Sequence, residues 1–264
     1  MNDFSIFVSS SDNYSDIWDL FFDMFQKFWP EFQGKIYLQT ETKDYRHDGL
    51  NIVCTKVGKH KGFGATLHAG LDKVKGDNIL FMMIDYLFMG QVNNDKIEEY
   101  FDMFIRENVD TLRLIDDSII NFENTDNPDI KRCFPPAPHR FFSYQMGFWK
   151  IKSLKLMALP HETPWSSEYY GDKRAHLLPL KLLSIKDNTL MPIYYDARGC
   201  LHRGKWLDNA VDFLKKENYS IDFSKRGFYD NDYQKSHWAV TWMIKRDGLK
   251  GSYWDLLLRK LKLR

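Results

Sequence analysis

Apolar and polar positions change their period several times along this chain, and each change marks an element. Residues 5–10 (SIFVSS) form a short β-rich run that ends in small polar side chains. Tyr14, Trp18, Phe21, Phe25, Phe28 and Trp29 then recur at three- and four-residue intervals, one face of a helix that Pro30 stops. Residues 35–40 (KIYLQT) and 51–57 (NIVCTKV) predict strands, and 65–75 a helix. Residues 78–85 (NILFMMID) predict a nearly continuous apolar strand that ends on a carboxylate. Strands separated by helical crossovers predict a parallel or mostly parallel sheet covered on both faces, an α/β fold.

The middle of the chain is less regular. Residues 93–106 predict a helix and 111–115 a strand, whereas 116–138 are loop-rich and broken by Pro128, Pro135, Pro136 and Pro138. Strand character returns at 141–149 and again at 190–196. Helices are predicted at 151–159, at 165–178 behind Pro164, and after Gly204. No internal repeat is visible. The organisation predicted is one α/β domain over residues 1–217 and a small C-terminal appendage over 218–264.

Composition narrows the function classes. The 264 residues are 44% hydrophobic and 28% charged, which excludes wholesale disorder and a collagen-like fibre. Thirty-seven Lys and Arg against thirty-six Asp and Glu leave a net charge of +1, which argues against binding nucleic acid through bulk charge. The last twenty residues are strongly basic, however. In 254–264 (WDLLLRKLKLR), Trp254, Leu257, Leu258 and Leu261 share one helix face, with Arg259, Lys260, Lys262 and Arg264 largely elsewhere. That pattern suits an interfacial helix on anionic lipid, and equally a helix docked on the protein's own core. Cys54, Cys133 and Cys200 lie far apart without a CxxC, which points to a reduced, cytoplasmic chain. The N-terminus lacks signal-peptide character, and the longest apolar run, 79–84, is far short of the roughly 20 residues of a spanning helix. The expected location is cytoplasmic, with peripheral contact at the inner membrane face.

Two predicted strand ends carry chemistry, because ligands of open parallel sheets bind outside the carboxyl ends of the strands. One is Ser9-Ser10-Ser11-Asp12-Asn13-Tyr14, a polar loop leading into a helix start, where free N–H groups attract anions or where a side chain simply caps the helix. The other is Asp85-Tyr86, where a carboxylate can hold a divalent ion or only make turn hydrogen bonds. No GxGxxG, P-loop or GxSxG motif is present.

The ordered set of motifs resembles a family of bacterial GT-A fold glycosyltransferases found in surface-polysaccharide gene sets. It is carried by Ser9, Ser10, Asp12, Tyr14, Trp18 and the Trp29-Pro30 pair, then by Ile84-Asp85-Tyr86-Leu87-Phe88. It resumes at Tyr144-Gln145-Met146-Gly147-Phe148-Trp149, at Pro164-Trp165-Ser166-Ser167-Glu168 and at Gly204-Lys205-Trp206. The resemblance implies a Rossmann-like, mixed but mostly parallel sheet with helices on both faces. It further implies an enzyme that moves a sugar from a nucleotide-diphosphate donor to a saccharide or lipid-linked saccharide acceptor, with inversion. In that scheme Glu168 is the catalytic base. Ser9, Ser10, Asp12, Tyr14, Asp85, Tyr86 and Lys205 hold the donor, Tyr144, Trp149 and Trp165 form an acceptor platform, and Asp85 is the ligand for Mg²⁺ or Mn²⁺.

Two positions depart from the family pattern. Ile84 stands where the first of two adjacent acids is usual, and Thr66 stands where an arginine is usual. Both changes remove charge from the place where a leaving diphosphate would be stabilised. A relative that binds nucleotide sugar or glycan without turnover is therefore the alternative.

Overall fold

The computed structural model describes residues 4–135, 141–230 and 233–249. The sequence from 254 to 264, with its predicted interfacial helix, lies outside the described residues. In β1 (Ser5–Ser9) the side chains alternate between two cores, with Ile6 and Val8 in one and Phe7 in the other. A 3-10 turn (Asp12–Ile17) leads into α1 (Trp18–Phe28), whose buried Phe21, Phe22 and Phe25 belong to the first core. The next elements are β2 (Lys35–Leu38), β3 (Asn51–Cys54), α2 (Phe63–Leu71) and β4 (Asn78–Met83). Strands β1, β2, β3 and β4 pair in parallel; α1 crosses from β1 to β2 and α2 from β3 to β4, whereas β2 reaches β3 through an irregular connection.

The second half of the sheet is mixed. It comprises β5 (Thr111–Arg113), β6 (Phe122–Asn124), β7 (Ile130–Cys133), β8 (Gly147–Lys150) and, later, β9 (Leu182–Ile185). The nine strands lie in the order β3-β2-β1-β4-β8-β5-β9-β7-β6, and only β7 and β8 oppose the common direction. A mixed, mostly parallel α/β sheet is thus observed, as predicted. Helix α3 (Asn94–Arg106) packs Tyr100 and Phe104 into the core shared with α1. Helices α4 (Ile151–Met157) and α5 (Pro164–Ala175) join α2 in the core on the other face. The hairpin of β10 (Leu201–His202) and β11 (Lys205–Trp206) and helix α6 (Asp208–Lys216) return to the first core through Trp206, Ala210 and Leu214.

Beyond residue 217 the chain is tied back to its beginning. Tyr219 donates to Asp23 at 2.6 Å, and Arg226 pairs with Asp16 and donates to the Asn13 carbonyl at 3.0 Å. Helix α7 (Tyr233–Leu249) lies against α5, where Ser166 donates to Asp247 at 2.5 Å. Among the described residues no helix is long and apolar enough to cross a membrane.

Five strands were not predicted from the sequence: β6, β7, β9 and the two-residue strands β10 and β11. β6 and β7 fall in the stretch predicted as loop, because β6 is exposed at the sheet edge and carries no alternation. β9, by contrast, is four residues buried on both faces, too short to separate from its flanks. The strand predicted at 190–196 is not formed. Ile193 and Tyr195 enter the core while Tyr194 faces out, a period of two without a ladder. Carbonyls of Pro192 and Tyr194 accept instead from Asn93 and Met89 in the loop ahead of α3.

Candidate functional site

At the carboxyl ends of β1, β2 and β4, a pocket of about 280 Å³ is lined by the 9–14 loop, Gln39, His60, Phe63, Asp85 and Pro164. Its floor is built by polar side chains that bond one another. Trp18 Nε1 donates to Ser10 Oγ at 2.8 Å, and Gln39 Nε2 donates to the Ser10 carbonyl at 2.6 Å. Ser9 and Ser10 are buried and line the pocket beside Ser11, Asn13 and Tyr14. Ser11 makes no side-chain cap, so the small residues leave room rather than close a helix end.

Asp12 has a different occupation. Its carboxylate accepts from the Glu41, Thr42 and Lys43 amides and from the Thr42 hydroxyl at 2.7 Å. Partial burial would raise its pKa, but the hydrogen bonds from Thr42, Glu41 and Lys43 outweigh it and hold the acid below its ordinary value. Asp12 does not line the pocket; it clips the β1 loop to the chain after β2. Tyr14 does line it, and Arg226 lies over its ring at 4.8 Å.

Asp85 follows β4 by two residues. Its Oδ1 is buried without a hydrogen-bond partner, and burial pushes the acid up to about 6. Gly199 (φ +77°) passes close by, and a Cβ there would stand 3.1 Å from Asp85 Oδ2. The left-handed backbone and this contact both call for glycine. Ile84, the residue in place of a first acid, is packed in the core. Among the described residues no three His, Cys, Asp or Glu side chains converge on a metal-sized space. A cation at Asp85 would have one protein ligand and would need diphosphate oxygens to complete its shell.

Glu168 sits one turn into α5, past Pro164. Thr163 and Ser166 form a capping box at the helix start, and Asp247 of α7 accepts from both, which fixes where the helix begins. Behind it the fully buried Arg174 grips both oxygens of Glu162 at 2.6 Å. Glu168 Oε1 accepts from the Tyr144 amide at 3.1 Å, and the neighbouring Ser143 hydroxyl donates to Asp117 at 2.9 Å. Two carboxylates therefore bracket one dipeptide. Burial, aided by the nearby Asp117 and Asp172 charges, pushes Glu168 up to about 7 against the amide bond and Arg113. Tyr86, whose ring meets Tyr195 at 5.0 Å, lies in the field of Asp85, Glu168 and Asp117 together.

The remaining predicted residues divide. Tyr144 and Trp149 are buried in the core of the α2–α5 face, where both rings meet Phe142 and the Tyr144 hydroxyl pairs with Ser167 at 2.6 Å. Neither lines the pocket: Trp149 alternates with Phe148 along β8 and faces the α2–α5 core, and Tyr144, in the loop before β8, packs into the same core. Trp165 is half-buried beside Pro164, with the Arg203 guanidinium 5.9 Å from its ring centroid. Lys205 is exposed on β11 and lies outside the pocket lining; the hairpin turn at Arg203 and Gly204 presents the arginine to Trp165 instead. Missed altogether were Gln39, His60, Phe63, Asp117 and Arg226. The end of β2, Gln39-Thr40-Glu41, carried a signal, since it is a third polar strand end of a parallel sheet.

No family model and no curated protein sequence matches the chain. Among solved structures, Staphylococcus aureus TarS residues 1–349 aligns at 14% identity over 70% of this chain and 58% of that one, with TM-score 0.44. The same fragment in complex with UDP-GlcNAc aligns at 11% identity over 84% and 69%, with TM-score 0.45. An active-site mutant of LgtC aligns at 10% identity over 67% and 66%, with TM-score 0.38. In the first of these alignments the chain spans less than two thirds of its counterpart. At these scores the likeness carries no functional weight, which rests on the site itself.

Proposed function

We propose that this chain is a GT-A glycosyltransferase that moves a sugar from a nucleotide-diphosphate donor to a saccharide or lipid-linked saccharide acceptor, with inversion. The observation that carries the reading is a polar pocket at the parallel strand ends with the unpartnered Asp85 on its lining and, outside that lining, a second acid, Glu168, held by a single amide, with Tyr86 in the field of both. The 9–14 loop cradles the nucleotide with Ser9, Ser10 and Tyr14. Asp85 takes ribose hydroxyls, or a Mg²⁺ or Mn²⁺ ion whose other ligands come from the diphosphate and water. Glu168 removes the acceptor hydroxyl proton as that oxygen attacks the anomeric carbon; the bond from that carbon to the diphosphate breaks, and the diphosphate leaves with the electron pair. A carboxyl group raised to about 7 suits a base working near neutral pH. Arg203, whose guanidinium lies 5.9 Å from the Trp165 ring centroid at the start of α5, and Lys205 on the same hairpin are the cations assigned to the leaving group. A lipid-linked acceptor would bring the basic C-terminal end to an anionic membrane surface.

A second reading has its own support. Ile84 is in the core and Thr66 is buried against His60, so neither position places charge in the cleft. Binding of nucleotide sugar or glycan without turnover follows if Arg203 and Lys205 do not compensate. The deciding experiment is calorimetric titration with UDP, GDP and CMP, with and without Mn²⁺, followed by a donor-hydrolysis and transfer assay. Binding that Asp85→Asn weakens, together with turnover, supports the enzyme. Binding without turnover supports the second reading, and no binding removes both.

A further inference from the structure

The pocket wall farthest along the sheet from Asp85 holds a group that the reading above leaves unused. His60 lines the pocket with a side chain 53% exposed. Its Nδ1 lies 3.0 Å from Glu41 Oε1 and 3.3 Å from Thr66 Oγ1. Glu41 is itself buried, and its other oxygen accepts from the Asp12 amide, so both carboxylate oxygens are engaged. A carboxylate can only accept, so His60 Nδ1 carries a proton. In the singly protonated ring Nε2 is then a lone-pair acceptor, and among the described residues it has no protein partner.

Strand order says which end of a ligand this atom meets. The sheet runs β3-β2-β1-β4; His60 lies on the connection from β3 to α2, Glu41 follows β2, and Asp85 follows β4. A nucleotide is long and has distinct ends. With its sugar and diphosphate at Asp85 and Glu168, its base points toward β2 and β3, where Phe63 supplies an apolar wall. We propose that His60 reads the base: Glu41 sets its tautomer, and Nε2 accepts a hydrogen bond from the ring N–H of an imide-edged base, as in uracil or guanine. The proposal rests on the nucleotide-site reading above. It also gives Thr66 a function, since the hydroxyl that replaces the family's arginine steadies the same imidazole.

The test is calorimetric titration of the full chain with UDP, GDP, CDP and ADP, the last two lacking a ring N–H at the pairing edge. The wild type is expected to bind UDP or GDP more tightly than CDP and ADP. His60→Ala, at an exposed position that leaves the fold intact by circular dichroism, should weaken the preferred nucleotide about tenfold, the worth of one hydrogen bond, and flatten the preference. His60→Gln, whose amide oxygen still accepts, should recover part of it. Unchanged affinity and preference in His60→Ala would overturn the role of His60 while leaving the nucleotide site standing. A wild-type preference for CDP or ADP would overturn the imide assignment. Failure of the wild type to bind any of the four would remove the nucleotide reading and this inference with it.

Discussion

The two sides of the cleft treat their acids in opposite ways. On the β1 side, Asp12 is saturated by three amides and a hydroxyl, and Asp16 is gripped by Arg226. On the β4–α5 side, Asp85 keeps a buried oxygen without a partner and Glu168 has a single amide from Tyr144. The consequence is visible in their acidity: Asp12 is held below its ordinary value, whereas Asp85 rises to about 6 and Glu168 to about 7. Saturated carboxylates build the frame. Underpartnered ones retain the capacity to bind a new group or exchange a proton, at a cost in folding stability that the rest of the chain offsets.

The comparison breaks most sharply at Glu168. Glu168→Gln removes the base and keeps the acceptor oxygen for the Tyr144 amide, so transfer should fall by about a hundredfold or more with nucleotide affinity unchanged. Steady-state transfer rates beside calorimetric affinity check this, and full activity would end the assignment. Asp85→Asn comes next. It should weaken nucleotide binding about tenfold to a hundredfold, the range of a hydrogen bond to a charged group, because the amide cannot replace the carboxylate's charge. Titration with UDP and with GDP measures it, and an unchanged dissociation constant would place the donor elsewhere.

The two acids proposed to act stand out in the sequence for different reasons than the rest of the candidate site. Asp85 closes an apolar run and Glu168 follows a Pro-Trp helix start, so each stands at a recognisable punctuation mark. Asp12 was equally conspicuous, but a sequence does not show that the chain after β2 comes back to meet it. The aromatic residues misled for a related reason. Tyr144 and Trp149 have the side chains of a sugar platform, yet the pleat of β8 and the loop before it turn them into the core. His60 and Asp117 lay in loops without periodicity; His60 meets Glu41 at the pocket, and Asp117 meets Arg113 and Ser143 next to the amide that Glu168 accepts from. The parallel half of the sheet was readable because helices separate β1 from β2 and β3 from β4. The mixed half has short strands and an exposed edge, where local pattern is weakest.

The saturated side supplies a smaller effect, in stability rather than turnover. Asp12→Ala should cost about 1–3 kcal/mol, because several amides lose a charged acceptor while solvent recovers part of the loss. The pH dependence has a definite sign. Folding lowers the pKa of Asp12 from its ordinary 3.8, so the ionised form is the one that favours the native state. Its contribution is full above that value and is lost as the pH falls through the lower folded one. Urea unfolding of wild type and Asp12→Ala should therefore differ at neutral pH and converge in acid. A gap independent of pH would mean that the carboxylate is not what holds the loop.

The smallest effect is the most discriminating, since it alters Glu168 without touching it. Asp117 receives hydrogen bonds from Arg113 at 2.7 Å and Ser143 at 2.9 Å, and its charge is among the causes that raise Glu168. Asp117→Asn removes that negative charge and leaves the Arg113 guanidinium less compensated, and both changes favour the ionised form of Glu168. The acid limb of the transfer rate, expected near 7 in the wild type, should move to lower pH. A base needs its proton off, so the variant should be the faster enzyme below that limb and equal to the wild type well above it. A merely structural role for Asp117 would instead lower the rate at every pH and leave the inflection in place. The pH profile thus separates the two roles, and it would locate the reactive acid at Glu168 by moving its titration from a neighbouring residue.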